Sequence, residues 1–292
     1  MVTQQTIWNL KYKHIFYIYN IIMTIIYKYD FLDGGLADLI KFLACIVKLA
    51  EDTNHRLLIS IEHPIKKYVI IKHKYVCDID YTKFDTLEKF ELENNTIVDI
   101  LKTNKNLVIS PKNLYNNNIN FLKYIDSYQE NVKKYSFFDY ADFTSDIYKK
   151  LSIIIKQSKY ICIHLRYGDK YLEIKRKCLV DDRNVNLNKI NDIMNDIVKK
   201  NKQVYFFCDN NIFKKQIALK YPQIKYFDIP CINISYNYFK VYPKEKYYEC
   251  LENVIIEFLI IKNSIEIHSL TYSGFPLVAH LLNKESKFYK YY

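Results

Sequence analysis

The chain has 292 residues, half of them apolar, which is enough for one large or two ordinary packed domains. Its formal net charge is +11, yet only four of its 43 basic residues are arginines (Arg56, Arg166, Arg176 and Arg183) and the lysines are spread along the chain. That scatter argues against a nucleic-acid-binding stripe and leaves a lysine-rich surface suited to anionic small molecules.

Abundant Ile, Asn, Lys and Tyr resemble the codon bias of an AT-rich genome, as in a virus or protist. Seven cysteines, an odd number without a C-x-x-C pair, read as reduced buried thiols in a reducing, cytoplasmic setting, which could be a host cytoplasm or viral factory. Glycine is scarce, with four in the whole chain. The four are Gly34, Gly35, Gly168 and Gly274, each following a strand-like run.

In chain order, residues 15–27 (IFYIYNIIMTIIY) are apolar but short of the ~20 residues of a membrane span. The reading is a buried parallel strand near 21–27, with an N-terminal anchor as the lesser alternative. A D-G-G turn at 33–35 leads into a helix over 36–51, with Leu36, Leu39, Ile40, Leu43 and Val47 at helical spacing. RLLISI, 56–61, is the next strand. Residues 62–125 hold four short candidate strands, YVII, YVCDI, TIVDI and NLVIS, and residues 115–155 read as helical.

The second half alternates more cleanly. Strands are predicted at 160–164, 204–208, 224–227 and 264–268, and helices at 185–200, 212–219 and 244–261 and from about 273. A polar loop spans 165–185, long enough to suggest function. Alternation in both halves predicts two α/β domains with parallel sheets, 1–150 and 151–292, facing across a cleft.

Four peptides carry candidate chemistry. In His164-Leu165-Arg166-Tyr167-Gly168-Asp169, a strand delivers His164 and Arg166 to one face at the carboxyl end of the sheet. Arg166 there can clamp phosphate oxygens in bidentate fashion, or form a plain surface ion pair with Asp169. Ser269-Leu270-Thr271-Tyr272-Ser273-Gly274-Phe275 follows another strand and opens a helix. It reads either as an anion site or as an ordinary N-cap by Thr271 or Ser273. Asp209, just past strand 204–208, could read a base or ribose or cap the next helix. Gly34-Gly35-Leu36-Ala37-Asp38-Leu39 is a two-glycine turn, neither G-x-G-x-x-G nor a P-loop. Asp78-Ile79-Asp80 is formally D-x-D but lies far from these peptides, and no metal is expected.

Together and in this order, the four peptides resemble the fucosyltransferase superfamily of GT-B glycosyltransferases: α1,2-, α1,6- and protein O-fucosyltransferases. The family's G-G-L-G-N-Q-like turn corresponds to residues 34–39, and its H-x-R-x-G-D-like peptide to 164–169. Its S-D-D/N-like turn corresponds to 208–210, and its S-x-F or S-G-F peptide to 271–275. Ala37-Asp38, Tyr167 and Cys208 depart from the usual Gly-Asn, second Arg and Ser. The resemblance covers about 22–60 and 158–285 and implies a GT-B-like fold with two Rossmann-like domains. The N-terminal domain would be acceptor-side and the C-terminal domain would bind the nucleotide sugar.

It further implies a metal-independent, inverting transfer of fucose from GDP-fucose to a glycan or protein acceptor, with no separate cofactor. Arg166 would hold the pyrophosphate with His164, Gly168 and Asp169 nearby. Asp209 would read guanine or ribose, and Thr271, Ser273 and the Gly274 and Phe275 amides would hold phosphate. Gly34 and Gly35 would approach from the opposite domain. Glu173 is the candidate base, as a glutamate at a similar distance is in the α1,6 relatives, with Asp38 and Asp33 behind it. Alternatives are another nucleotide sugar, an inactive nucleotide- or glycan-binding protein, or a basic nucleic-acid binder. Neither a nucleic acid nor a membrane is an expected partner.

Overall fold

Two parallel β-sheets organise the chain, each assembled from strands that recur after helices. The computed structural model describes residues 23–30, 34–82, 84–86, 101, 106–111, 122–156, 159–168, 185–227 and 243–292. The first sheet has the order β2-β1-β5-β4, from β1 (Thr24–Tyr29), β2 (Arg56–Ile61), β4 (Asp85–Thr86) and β5 (Asn106–Ile109). The second has the order β11-β10-β7-β8-β9, from β7 (Tyr160–Leu165), β8 (Gln203–Cys208), β9 (Ile224–Lys225), β10 (Glu266–Ser269) and β11 (Lys287–Lys290). Every pairing within these two sheets is parallel. A small antiparallel pair, β3 (Val69–Ile71) with β6 (Ala141–Phe143), stands apart.

The strands read as largely apolar runs because both faces of each sheet are buried; on one face of the first sheet Ile26, Leu58 and Val108 meet Cys77, Tyr81 and Phe84 rather than a helix. All six residues of β7 are buried, and five of six in β1. The end of the apolar stretch considered as an anchor is therefore β1, a strand paired on both sides. Residues 15–22 lie outside the described residues. Among the described residues, no helix is long and apolar enough to cross a membrane.

The helices are α1 (Leu36–Thr53), α2 (Leu122–Asp126), α3 (Tyr128–Lys134), α4 (Phe137–Tyr140) and α5 (Ser145–Ile154) in the first half. The second half has α6 (Leu187–Val198), α7 (Asn211–Lys220), α8 (Lys244–Lys262) and α9 (Gly274–Leu281). The largest apolar cluster draws on both halves. It joins Ile25 of β1, Phe42 of α1, Leu251 and Phe258 of α8, and Leu277 of α9. A second cluster fills the other face of the second sheet, under α6 and α7, with Ile163, Met194, Phe206 and Ile217.

The helix expected over 36–51 and the strand expected at 56–61 match α1 and β2 closely. The helical reading of 115–155 holds in part: residues 122–155 contain four short helices, with Ser127, Ser136 and Thr144 at helix starts, and the unexpected strand β6. YVCDI forms a short 3-10 turn (His73–Tyr75) and a single bridge, Ile59 to Val76, instead of a strand. TIVDI lies outside the described residues.

Candidate functional site

Strand register builds the site. In the pairing of β7 with β8, His164 lies opposite Phe207 and Leu165 opposite Cys208. In the pairing of β7 with β10, His164 lies opposite Ser269. Carrying both registers two residues beyond His164 sets Arg166 between Asp209 and Thr271, at the carboxyl ends where open α/β sheets bind ligands.

The side chains complete that alignment. Arg166 Nη1 donates to Asp209 Oδ2 at 2.6 Å. The Tyr167 N–H donates to Asp209 Oδ1 at 2.6 Å and the Gly168 N–H to Oδ2 at 3.2 Å. Asp209 thus gathers one guanidinium and two consecutive amides. Gly168 has φ of 100°, which only glycine adopts without strain, and this turns its N–H toward the carboxylate. The pair is poorly solvated: the side chains of Arg166 and Asp209 are 17% and 12% exposed. On the other flank, Thr271 Oγ1 accepts from the Arg166 N–H at 3.0 Å and donates to the Arg166 carbonyl at 2.9 Å.

His164 points to the opposite face from Leu165 and packs its ring at 5.9 Å from Phe275. Phe275 in turn meets Phe258 of α8 edge-on at 5.3 Å. Ser273 is the N-cap residue of α9, but its side chain makes no capping hydrogen bond, and the Thr271 hydroxyl serves Arg166 rather than the helix. Apart from its chain neighbours, no atom of the described residues lies within 4 Å of a Cβ placed at Gly274.

The two-glycine turn lies at the end of β1, on the other sheet. Gly34 has φ of 95°, and the Tyr29 hydroxyl donates to the carbonyls of Gly34 and Gly35. Asp38 accepts from the Gly35 N–H at 3.1 Å and pairs with Lys41 at 2.8 Å, so it shapes the start of α1. The structure therefore joins Arg166, Gly168, Asp209 and Thr271 by direct bonds, and His164 to Phe275 by ring contact. Gly34, Gly35 and Asp38 form a separate constellation. Asp33, Asp169 and Glu173 lie outside the described residues. Asp80 of the formal D-x-D holds the N–H and hydroxyl of Thr82 in a local turn. No cluster of metal-ligating side chains occurs among the described residues.

One carboxylate escaped the sequence reading. Glu257 lies on α8, in the run VIIEFLII. Burial pushes its pKa up to about 7; the positive charge of Lys214 opposes this and the negative charge of Asp209 adds to it. Lys214 is itself 1% exposed, and its Nζ donates to the Phe227 carbonyl at 2.9 Å. A charge in the middle of an apolar run was the available signal. A carboxylate perturbed by burial and by charged neighbours such as Lys214 and Asp209 is a candidate for ligand contact.

No family model matches this sequence, and no curated protein matches it. The fold has clear counterparts among solved structures. The α1,6-fucosyltransferase NodZ co-crystallised with GDP matches with a TM-score of 0.52 over 89% of this chain and 92% of its own, at 12% identity. A mutant of Arabidopsis thaliana FUT1 in complex with GDP matches with 0.53 over 92% and 70%, at 10% identity. POFUT1 in complex with GDP-fucose matches with 0.52 over 93% and 99%, at 10% identity. The chain has the α/β fold of these GT-B fucosyltransferase structures.

Proposed function

We propose that the chain is a glycosyltransferase that moves fucose from GDP-fucose to a glycan or protein acceptor, with inversion and without a metal. The observation that carries this is the Arg166–Asp209 pair with the Tyr167 and Gly168 amides, set at the carboxyl ends of β7 and β8. It supports the reading because the matching structures were determined with GDP or GDP-fucose.

Departure of GDP builds negative charge on the β-phosphate. A guanidinium presents its N–H donors in a rigid planar fork that fits phosphate oxygens. Anchored by Asp209 and Thr271, it is preorganised to stabilise that charge without moving. Asp209 acts in this reading by holding Arg166. Glu257 is the better partner for the nucleobase, since guanine presents adjacent N1–H and N2–H donors that a carboxylate accepts together. His164 and Phe275 offer a ring wall, and Ser273 with the Gly274 and Phe275 amides contacts phosphate. Gly34 and Gly35 face the sugar from the other sheet.

Inversion needs a base to take the acceptor hydroxyl proton as oxygen attacks the anomeric carbon and the bond to the β-phosphate oxygen breaks. Glu173 is assigned that role, with Asp38 second. Calorimetry with GDP, UDP and ADP tests the donor class, and release of fucose from GDP-fucose tests chemistry. GDP should bind best, Arg166→Ala should weaken it about 10- to 150-fold for lost charged hydrogen bonds, and Glu173→Gln should cut turnover at nearly unchanged GDP affinity. Binding of none of the three nucleotides would remove the enzyme reading.

A further inference from the structure

Beside the nucleotide motifs, on the α6 side of the second sheet, lies an open cavity of about 500 Å3. That is within the usual range of small-molecule sites, about 300–1,000 Å3. Tyr272, Tyr291 and Tyr292 line it together with Asn186, Lys189 and Thr271. Tyr272 and Tyr292 are 63% and 51% exposed and meet edge-to-face at 5.7 Å. Apolar rings grouped at an open cavity are the kind of surface feature that marks a binding site.

The wall behind them is fixed by a buried polar chain. Glu266 is held by Lys200 at 2.5 Å and Lys202 at 3.2 Å. Its Oε2 lies 3.4 Å from Nε2 of His268, whose Nδ1 lies 2.8 Å from the Tyr291 hydroxyl. With Glu266 ionised, Nε2 carries the proton, so Nδ1 accepts and Tyr291 donates. His268 also stacks on Tyr289 at 4.6 Å and on Tyr291 at 5.8 Å. Lys189 Nζ closes the frame on the Tyr291 carbonyl at 2.5 Å. The ring of Tyr291 is therefore locked before any ligand arrives.

We infer that this groove is the acceptor subsite and that its occupant is a neutral saccharide. Sugars present an apolar C–H face that packs on aromatic rings and hydroxyls that meet short polar groups. Among the described lining residues the one charged side chain, Lys189, is engaged by the Tyr291 carbonyl, and the rest are aromatic, aliphatic or neutral polar, which suits an uncharged occupant. Thr271 both lines the groove and bonds Arg166, so an occupant sits next to the residue assigned to the donor pyrophosphate. The word acceptor rests on the transferase reading; the saccharide assignment rests on the groove.

Saturation-transfer-difference NMR with lactose, chitobiose, maltotriose and mannobiose tests it, beside GDP calorimetry on the same proteins. At least one sugar should give signal with the wild-type chain. Tyr272→Ser and Tyr292→Ser, both at exposed positions, should weaken it at least fivefold and leave GDP affinity within twofold. Absence of signal from all four sugars, or signal indifferent to both substitutions, would overturn the assignment. So would Tyr272-dependent binding of a Ser/Thr-rich peptide in place of the sugars. Tyrosine-dependent sugar binding without GDP binding would instead sink the transferase reading and leave the groove standing.

Discussion

Asp209→Asn tests the organisation of the site most directly. The carboxylate receives Arg166 Nη1 at 2.6 Å, Tyr167 N–H at 2.6 Å and Gly168 N–H at 3.2 Å, all poorly solvated. A carboxamide keeps the shape but loses the charge, and its NH2 must face one of three donors. One hydrogen bond is lost outright, leaving a buried N–H against another donor. The other two fall from charge-assisted to neutral strength, a change of roughly 1 kcal/mol each. The total is about 3 kcal/mol, in line with breaking one partner of a buried pair. Urea unfolding at neutral pH should show that loss at an unchanged slope. GDP affinity should fall by about tenfold or more, because Arg166 loses its anchor. Crossing it with Arg166→Ala should give a coupling above about 0.5 kcal/mol. A stability change under 1 kcal/mol, with additive effects in the cycle, would show that Asp209 does not hold Arg166 in solution.

Three further outcomes are expected. Gly34→Ala should cost about 1–2 kcal/mol in thermal unfolding, since φ is 95° and the new Cβ would lie 2.5 Å from Asp38 Oδ2; adding Asp38→Ala should recover only the clash. Burial and the Lys200 charge hold His268 down at about 4 against the opposing pull of Glu266. The unfolded state then binds the extra proton first, so stability is complete above pH 6.5 and declines as pH falls toward 4; His268→Asn should flatten that part of the profile. Glu257 behaves oppositely: its raised pKa means the ionised form costs stability as pH climbs from about 4.5 through 7. Glu257→Gln should therefore raise apo stability by about 2 kcal/mol at pH 8, do little at pH 4, and weaken GDP binding; a variant neutral at both pH values would contradict the burial.

Much of the fold could be read from local pattern. The run TIIYKY with its D-G-G turn and the apolar spacing of 36–51 identify β1 and α1, because a covered parallel strand and an amphipathic helix have different periods. The same logic found β7, β8 and α8. It missed the division of 122–155 into separate elements, where helices of four to ten residues are too short to show a period and β6 pairs with β3 about 70 residues away. Two glycines signalled a backbone need that the structure bears out, Gly34 and Gly168, through positive φ. Gly35 and Gly274 show no such need from the protein itself.

The residue types of the candidate site were legible from sequence: a strand-end arginine, a carboxylate after the neighbouring strand, and hydroxyls before a helix. Their partnerships were not. Asp209 reads as a base or ribose contact or as an N-cap until the register of β7 with β8 places it against Arg166. Thr271 reads as an anion contact or a cap until β10 sets it on the other side of Arg166. Glu257 and the Glu266–His268–Tyr291 chain depend on side chains from elements up to 50 residues apart. Local chemistry is written in consecutive residues, whereas desolvation, register and charge coupling exist only once distant segments are packed together.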